Sequence, residues 1–539
     1  MFRSVFIFSV LLLFLSGCRV VVSVPEGGAV ISQSGSYDCG ELNSCIVEVN
    51  DVFFDETFAA QPRDGFTFTG WKKRDRGFFG GSDAVDVRLF TSGFGENETL
   101  MRILGSDETF YLEPTFERDF NPASFALVDT GVRLISSKSW RDSPLFSNVD
   151  PAVMDVDQDG FPDIVDNGPL YYLGSENDGF VNRQVPFYWL RNNGGDGTFS
   201  EGDPDLIPQS AVLVHTRHIE IADFNQDGLD DMVAVGHGFD VPPYEMERNL
   251  ILQSTPGQPL SETESDNPDF TYAGFSHALD VGDISGDGAP DIVWVDLFNE
   301  LGGLEEEFRI LINDGLGNFA RDTSAIQLNQ ATGKLDVALA DLDGDEAEEL
   351  IFGSWNEDGQ NQVFWNNGSG KFDADVTVLP KLVVDGAEQY DTLAIATTDL
   401  NFDGLADLIL SVSRTYDGGH LQFLINNGDR TFTDRTDTYG VDESYTGPPV
   451  WLYVADFNGD GRDDILTDAQ FMWLRTSGDA FEKYVIPGLK SGDVGGGTWP
   501  VDYDLDGDLD IVSREFLTYD EYGASSSPTW RIIENKLVD

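Results

Sequence analysis

The sequence predicts an all-β protein, a seven-bladed β-propeller over residues 118–539 preceded by a small β-domain over residues 18–117. Three observations predict it. An acidic word, D-x-[D/N/S]-x-D-G-x-x-D followed by an apolar pair, starts at Asp155, Asp223, Asp283, Asp341, Asp399, Asp456 and Asp502. The starts lie 68, 60, 58, 58, 57 and 46 residues apart, a spacing that marks a repeat architecture. Short β-branched runs flank the words with no helical period, so each word reads as the loop of a β-hairpin.

The first seventeen residues read as a signal segment rather than as fold. Arg3 supplies a positive start, an apolar run extends from Val5 to Leu15, and Leu15-Ser16-Gly17-Cys18 follows. The run is too short to span a bilayer. This ending resembles the lipobox of bacterial lipoproteins, which implies lipidation at Cys18, and Arg19 after it implies sorting to the outer membrane. The competing reading is an ordinary secretory signal with a chance cysteine. An exported chain sits in an oxidising compartment, where Cys39 and Cys45 are expected as a local disulfide. No histidine lies near them, which argues against zinc.

Residues 18–117 show strands at Val20 to Val24 and Ile46 to Val49, with turns at Gly27-Gly28 and Asp64-Gly65. Gly65-Phe66-Thr67-Phe68, Gly70-Trp71 and a closing Tyr111 to Phe116 resemble the small β-domain of internalin-type bacterial repeats. That resemblance implies a spacer or adhesive module. Residues 78–109 fit its pattern poorly and are expected as an insertion.

Beyond residue 118 each repeat has one grammar. An apolar strand precedes the word (Ile219 to Ala222, Val337 to Ala340, Leu452 to Ala455), and a second follows it. A third strand ends in a Gly turn, as in Tyr188 to Gly194, Phe308 to Gly315 and Leu421 to Gly428. A Phe then opens a fourth strand at Phe199, Phe319, Phe372, Phe432 and Phe481. Four antiparallel strands repeated seven times make a propeller. The last blade runs out after Trp530 to Ile533, so the apolar segment Ser124 to Ile135 is expected to complete it and close the ring.

The words also carry the chemistry. Alternating oxygens at positions 1, 3 and 5 of a tight loop converge, Gly at position 6 permits the reversal, and a carboxylate at position 9 closes the cage. The candidate ligands are Asp155, Asp157, Asp159 and Asp163 in blade one, then Asp223, Asn225, Asp227 and Asp231 in blade two. Blade three offers Asp283, Ser285, Asp287 and Asp291; blade four offers Asp341, Asp343, Asp345 and Glu349. Blades five, six and seven offer Asp399, Asn401, Asp403 and Asp407; Asp456, Asn458, Asp460 and Asp464; and Asp502, Asp504, Asp506 and Asp510. Such hard oxygens suit Ca2+, up to seven ions. Blade four departs furthest, because Glu346 stands at position 6 and Glu349 at position 9. An EF-hand would need flanking helices and Glu at position 12, where Asp166 and Ala234 stand instead. A plain acidic turn explains one copy but not seven in register. Word, Asn-Gly turn and Phe together resemble FG-GAP (VCBS) repeats, the calcium-binding propeller repeats also seen in integrin α-subunits. That resemblance implies one Ca2+ per loop and recognition or adhesion at a cell surface.

The net charge of −64, from 96 acidic and 32 basic residues, excludes nucleic acid as a partner. The expected partner is a glycan or a protein at the cell surface, with membrane contact through the N-terminal lipid alone. Four of the five histidines fall in blades two and three. Of these, His218, His237 and His277 are candidates for a ligand or active site, near Arg217, Tyr244 and Arg248. Histidine with Tyr or Arg can abstract an acidic sugar proton, so a polysaccharide lyase is one alternative function. The plainer alternative is that these imidazoles bond loops between blades, and a two- or three-His metal site is a further one. Trp451 and Trp499 read either as a sugar platform or as packing between blades. A scaffold subunit of an envelope assembly is the third functional alternative.

Overall fold

The computed structural model describes residues 18–537, except 92–108, 119–124, 136–150, 168–171, 174–179, 239–244, 298–307, 323–332, 440–448, 490–496, 516–528 and stretches of three residues or fewer. The signal segment and the Asp64-Gly65 turn lie outside the described residues. The chain forms two compact units, divided between Asn121 and Pro122. No helix among the described residues is long and apolar enough to cross a membrane.

In the first unit Cys18–Val24 pairs antiparallel with Asn43–Val49 and parallel with Thr109–Leu112. Alternation sends Val20, Val22 and Val24 inward, onto Val30, Val47, Phe58, Trp71 and Leu112. A second sheet orders Asp38–Cys39, Gly28–Ser32, Asp55–Pro62 and Asp86–Phe90, and Phe66–Trp71 pairs with Pro114–Arg118. Cys39 and Cys45 form a disulfide. Gly27 turns with φ +106° tight against Phe66 and Phe116; a Cβ there would sit 2.6 Å from Phe66 Cδ1 and 2.7 Å from Phe116 Cβ. Within residues 78–109, Asp86–Phe90 is an integral outer strand on Asp55–Pro62, because Val87 points inward and is buried.

Among the described residues the second unit holds seven four-stranded antiparallel sheets, one for each acidic word. Sheets one to six take four strands in chain order, as in Thr216–Ala222, Asp231–Gly236, Leu250–Thr255 and Gln258–Thr263. Sheet seven is composite: Leu127–Ile135, Thr529–Asn535, Asp510–Glu515 and Thr498–Val501 lie side by side. The Asn that ends most third strands links neighbouring sheets. Its side-chain amide donates to the carbonyl of position 2 of the preceding word: Asn313 to Phe224 at 2.8 Å, Asn366 to Ile284 at 2.8 Å, Asn426 to Leu342 at 2.6 Å and Asn535 to Phe457 at 2.8 Å. In sheet six Arg475 replaces Asn and donates to Leu400. Asn192 of sheet one donates to Tyr503 of sheet seven at 2.7 Å, which closes the circuit. Sheet two has Ser254 at this place, and Gln158 substitutes by bonding Thr255 O and Gly257 N at 3.0 and 2.7 Å.

The position-2 residues themselves (Val156, Phe224, Ile284, Leu342, Leu400, Phe457, Tyr503) are all buried, which pins each loop to the core. Position 4 of every word has positive φ, and in four words a non-glycine occupies it: Gln158, Gln226, Phe402 and Leu505. A left-handed non-glycine costs about 1–2 kcal/mol, offset in part by the entropy a glycine would lose. Leu505 is half exposed at φ +60°. Leu505→Gly is therefore expected to raise stability by about 0.5–1 kcal/mol, read as a higher urea midpoint; a lower midpoint would show that the side chain contributes more than its backbone costs.

Candidate metal centres and the buried histidines

Each word folds around its own first carboxylate. Asp155 accepts the N–H groups of Asp159 and Gly160 at 3.0 and 2.7 Å, and Asp223, Asp399 and Asp456 repeat the pattern. Position 5 accepts the N–H of position 7, as Asp159 does from Phe161 at 3.1 Å. Positive φ at Gly160, Gly228, Gly288, Gly404, Gly461 and Gly507 completes the reversal. Glu346, at the same place in word four, lies outside the described residues.

Position 9 does more than close a cage. Asp163 is fully buried; its Oδ2 accepts Val156 N at 3.0 Å and its Oδ1 accepts Asn192 N at 2.7 Å. Asp231, Asp407 and Asp464 repeat this bridge from the loop start to the third strand. Asp291 bonds Ser285 N and Asn313 N. Burial raises these acids strongly: Asp163 and Asp231 to about 7, Glu349 and Asp464 to about 8, Asp510 to about 9. Neighbouring carboxylates push the same way, and the backbone N–H groups pull back.

Carboxylate oxygens converge to within 4.8 Å of one another in three loops: Asp155, Asp157 and Asp163; Asp341, Asp343 and Glu349; Asp502, Asp504 and Asp510. Loop four, the most divergent word, is thus among the three, because the longer Glu349 still reaches. The fit of a cation can be tested on the oxygens left over. Asp157 Oδ1, Asp343 Oδ1, Glu349 Oε1, Asp502 Oδ1 and Asp510 Oδ2 are buried without a hydrogen-bond partner. A buried, unpartnered carboxylate oxygen needs a counter-charge or a donor, and a hard cation is one. Two loops answer part of their charge with protein: Arg191 pairs with Asp157 and, at 2.5 Å, with Asp159, while Arg430 meets Asp343 at 3.0 Å.

The histidines behave differently. His215, His237 and His277 are all buried, with ring centres 4.8 Å (His215 to His237) and 5.0 Å (His237 to His277) apart. His237 also stacks on Phe275 at 4.1 Å, and Arg217 donates to His277 Nε2 at 2.8 Å. Burial, then the Arg217 charge, holds all three well below the usual imidazole range, so they are neutral. His218 stands apart, against Trp451 at 5.3 Å, accepting from Leu279 N at 3.3 Å and meeting Glu220 at 3.0 Å. Tyr244 lies outside the described residues, Arg248 pairs with Glu262, and Trp499 is buried against Trp530. A cleft of about 560 Å³ is lined by Glu264, Asn267, Pro268, Asp269, Phe319, Ala320 and Arg321, none of them a histidine.

The first strands explain why polar groups collect here. Register shifts bulge four successive first strands at Arg217, His277, Leu335 and Leu393. These strands are edges, and side chains satisfy their free N–H groups: His218 takes Leu279 N, and Asp280 takes Leu339 N at 2.7 Å. Burial, then the Glu220 charge, raises Asp280 to about 8. Edge capping was not visible in the sequence, since donor and acceptor stand about one repeat apart.

Residues 283–352 and 399–467 match the FG-GAP-like repeat family. No curated protein matches the chain. Among solved structures, a triple mutant of AofleA from Arthrobotrys oligospora is similar at 10% identity, with a TM-score of 0.34, over 60% of this chain and 91% of that one. The second unit therefore carries FG-GAP-like repeats in a β-rich, propeller-like arrangement.

Proposed function

We propose that this chain is a surface recognition protein: a seven-bladed calcium propeller, carried on a small β-spacer and tethered through lipidated Cys18, that binds a glycan or a protein. Buried, unpartnered carboxylate oxygens in three convergent loops carry the reading, and the FG-GAP-like repeats support it. Asp155, Asp157 and Asp163, with the equivalent residues of loops four and seven, would hold the ions. Bound there, Ca2+ supplies charge neutralisation. The carboxylates keep the loops closed through their backbone bonds, and the loops present a fixed surface to the partner. An export signal and an outer-membrane location belong to this proposal, as do ions in the other four loops.

The lyase alternative needs imidazoles that a sugar can reach. His237 and His277 are enclosed, and His218 already bonds Leu279 N and Glu220, so no observation favours it. Isothermal calorimetry on the chelated protein is expected to show Ca2+ uptake. Ions held at about a hundred times their dissociation constant contribute about 2.7 kcal/mol per site. Adding Ca2+ should thus raise Tm by at least about 5 °C. A glycan array probed with and without Ca2+ then tests recognition; equal, empty arrays would count against a glycan partner. An unchanged Tm together with silent calorimetry would remove the metal reading altogether.

A further inference from the structure

We propose that the seventh loop is a cation-operated clasp: metal binding there holds the chain's two closing strands together. The proposal rests on the calcium reading above and adds a division of labour among the loops. Of the three convergent clusters, those of loops one and four meet an arginine, Arg191 and Arg430. Among the described residues no cation pairs with Asp502, Asp504 or Asp510, whose oxygens lie within 4.8 Å of one another. Asp510 is 1% exposed, and its Oδ2 has no hydrogen-bond partner. This loop concentrates carboxylate oxygens that no cation among the described residues answers.

The same loop is where the circuit closes. Asp510 Oδ1 accepts Asn535 N at 2.7 Å, and Asp508 Oδ2 accepts Leu537 N at 3.1 Å. Both donors belong to the last strand or the residues after it. Thr529–Asn535 in turn carries Leu127–Ile135, reinforced by Thr130 Oγ1 donating to Ile532 O at 3.0 Å and Lys536 N to Ala126 O at 3.0 Å. From the other side, Asn192 of sheet one reaches Tyr503 O inside the loop. Thr529–Asn535, which pairs with a strand about 400 residues away in sequence, is thus held by a loop whose folded shape needs its carboxylates close together. Closing so long a chain segment costs entropy that a local hairpin does not. Without the cation, nothing draws Asp502, Asp504 and Asp510 together, and the loss acts directly on Asp510, the residue that holds the last strand.

Hydrogen exchange of the full chain, read by mass spectrometry, tests this. In saturating Ca2+, Asp504→Asn is expected to speed exchange of 127–135 and 529–535 at least tenfold while Lys334–Ala340 stays at wild-type rates. Asp504 bonds neither closing strand, so its loss acts through the cage. Asp343→Asn, in loop four, is expected to leave the closing strands unchanged. If Asp504→Asn lowers the Ca2+ stoichiometry but both closing strands keep their protection, the clasp is wrong and the calcium reading survives. If the wild-type chain takes up no Ca2+ by calorimetry, both fall. Should Asp504→Asn not fold, the chelated wild type decides: the closing strands must lose protection before sheets two to five, and uniform loss overturns the proposal.

Discussion

Arg514→Ala is expected to destabilise the protein by about 3–5 kcal/mol, the largest single-residue effect outside the metal loops. Arg514 and Asp166 are 2% and 1% exposed, and Nη1 lies 3.2 and 3.3 Å from the two carboxylate oxygens. They join sheet seven to sheet one, across the interface that closes the circuit. Asp166 also accepts from Tyr188 Oη at 2.7 Å and from Asn167 N at 2.8 Å, so it is held in place whether or not Arg514 is present. Removing the guanidinium strands a buried charge that cannot rotate out to water. The Arg514 guanidinium also lies 5.4 Å from both the Trp499 and Trp530 ring centres, so alanine leaves a gap between two rings. Arg514→Lys keeps charge but loses the planar fork, and should recover only part of the loss. The double variant Asp166→Asn with Arg514→Met removes both charges and fills the space, and should be more stable than Arg514→Ala alone. Urea midpoints check the series. A double variant no better than the single one would mean that packing against the tryptophans, not the stranded carboxylate, sets the cost.

Arg514 and Asp166 also show where the sequence stops being informative. The acidic words, the hairpin around each and the completion of the last sheet by Leu127–Ile135 were legible, because each is written in local pattern or in a leftover at the chain ends. The third and fourth strands of sheet two, Leu250–Thr255 and Gln258–Thr263, were not. No Phe opens the fourth strand, where Gln258 stands, and Phe270 on the short helix that follows packs on Trp294 and Phe319 of sheet three. Position 2 of each word carried no signal of its own; its role appears only when its carbonyl meets an Asn one sheet away. Positive φ at position 4 was hidden because Gln, Phe and Leu carry no sign of it. Position 9 read as a ligand by spacing. That it also braces two backbone N–H groups depends on a third strand whose distance along the chain varies, from eleven residues between Asp464 and Arg475 to 29 between Asp163 and Asn192.

In chelator, the protein is expected to lose stability steadily as pH rises from 6 to 9, and Ca2+ is expected to abolish or reverse that slope. Burial, ahead of repulsion from neighbouring carboxylates, raises Asp291 and Asp407 to about 6, Asp163 and Asp231 to about 7, Glu349 and Asp464 to about 8 and Asp510 to about 9. Unfolded, the same groups titrate near 4. The folded state therefore holds protons that the unfolded state has released, and stability falls with pH wherever that is so. The contribution is fully present below about pH 4 and is lost as pH climbs through the folded values, Asp510 last. A cation binds the ionised cages, so it competes with those protons and gains strength as they leave. The gap between the Tm measured with Ca2+ and with chelator should widen from pH 6 to pH 9. Two parallel Tm curves over that range would show that protons and Ca2+ do not share these oxygens, and the position-9 carboxylates would then be braces of the backbone without being ligands.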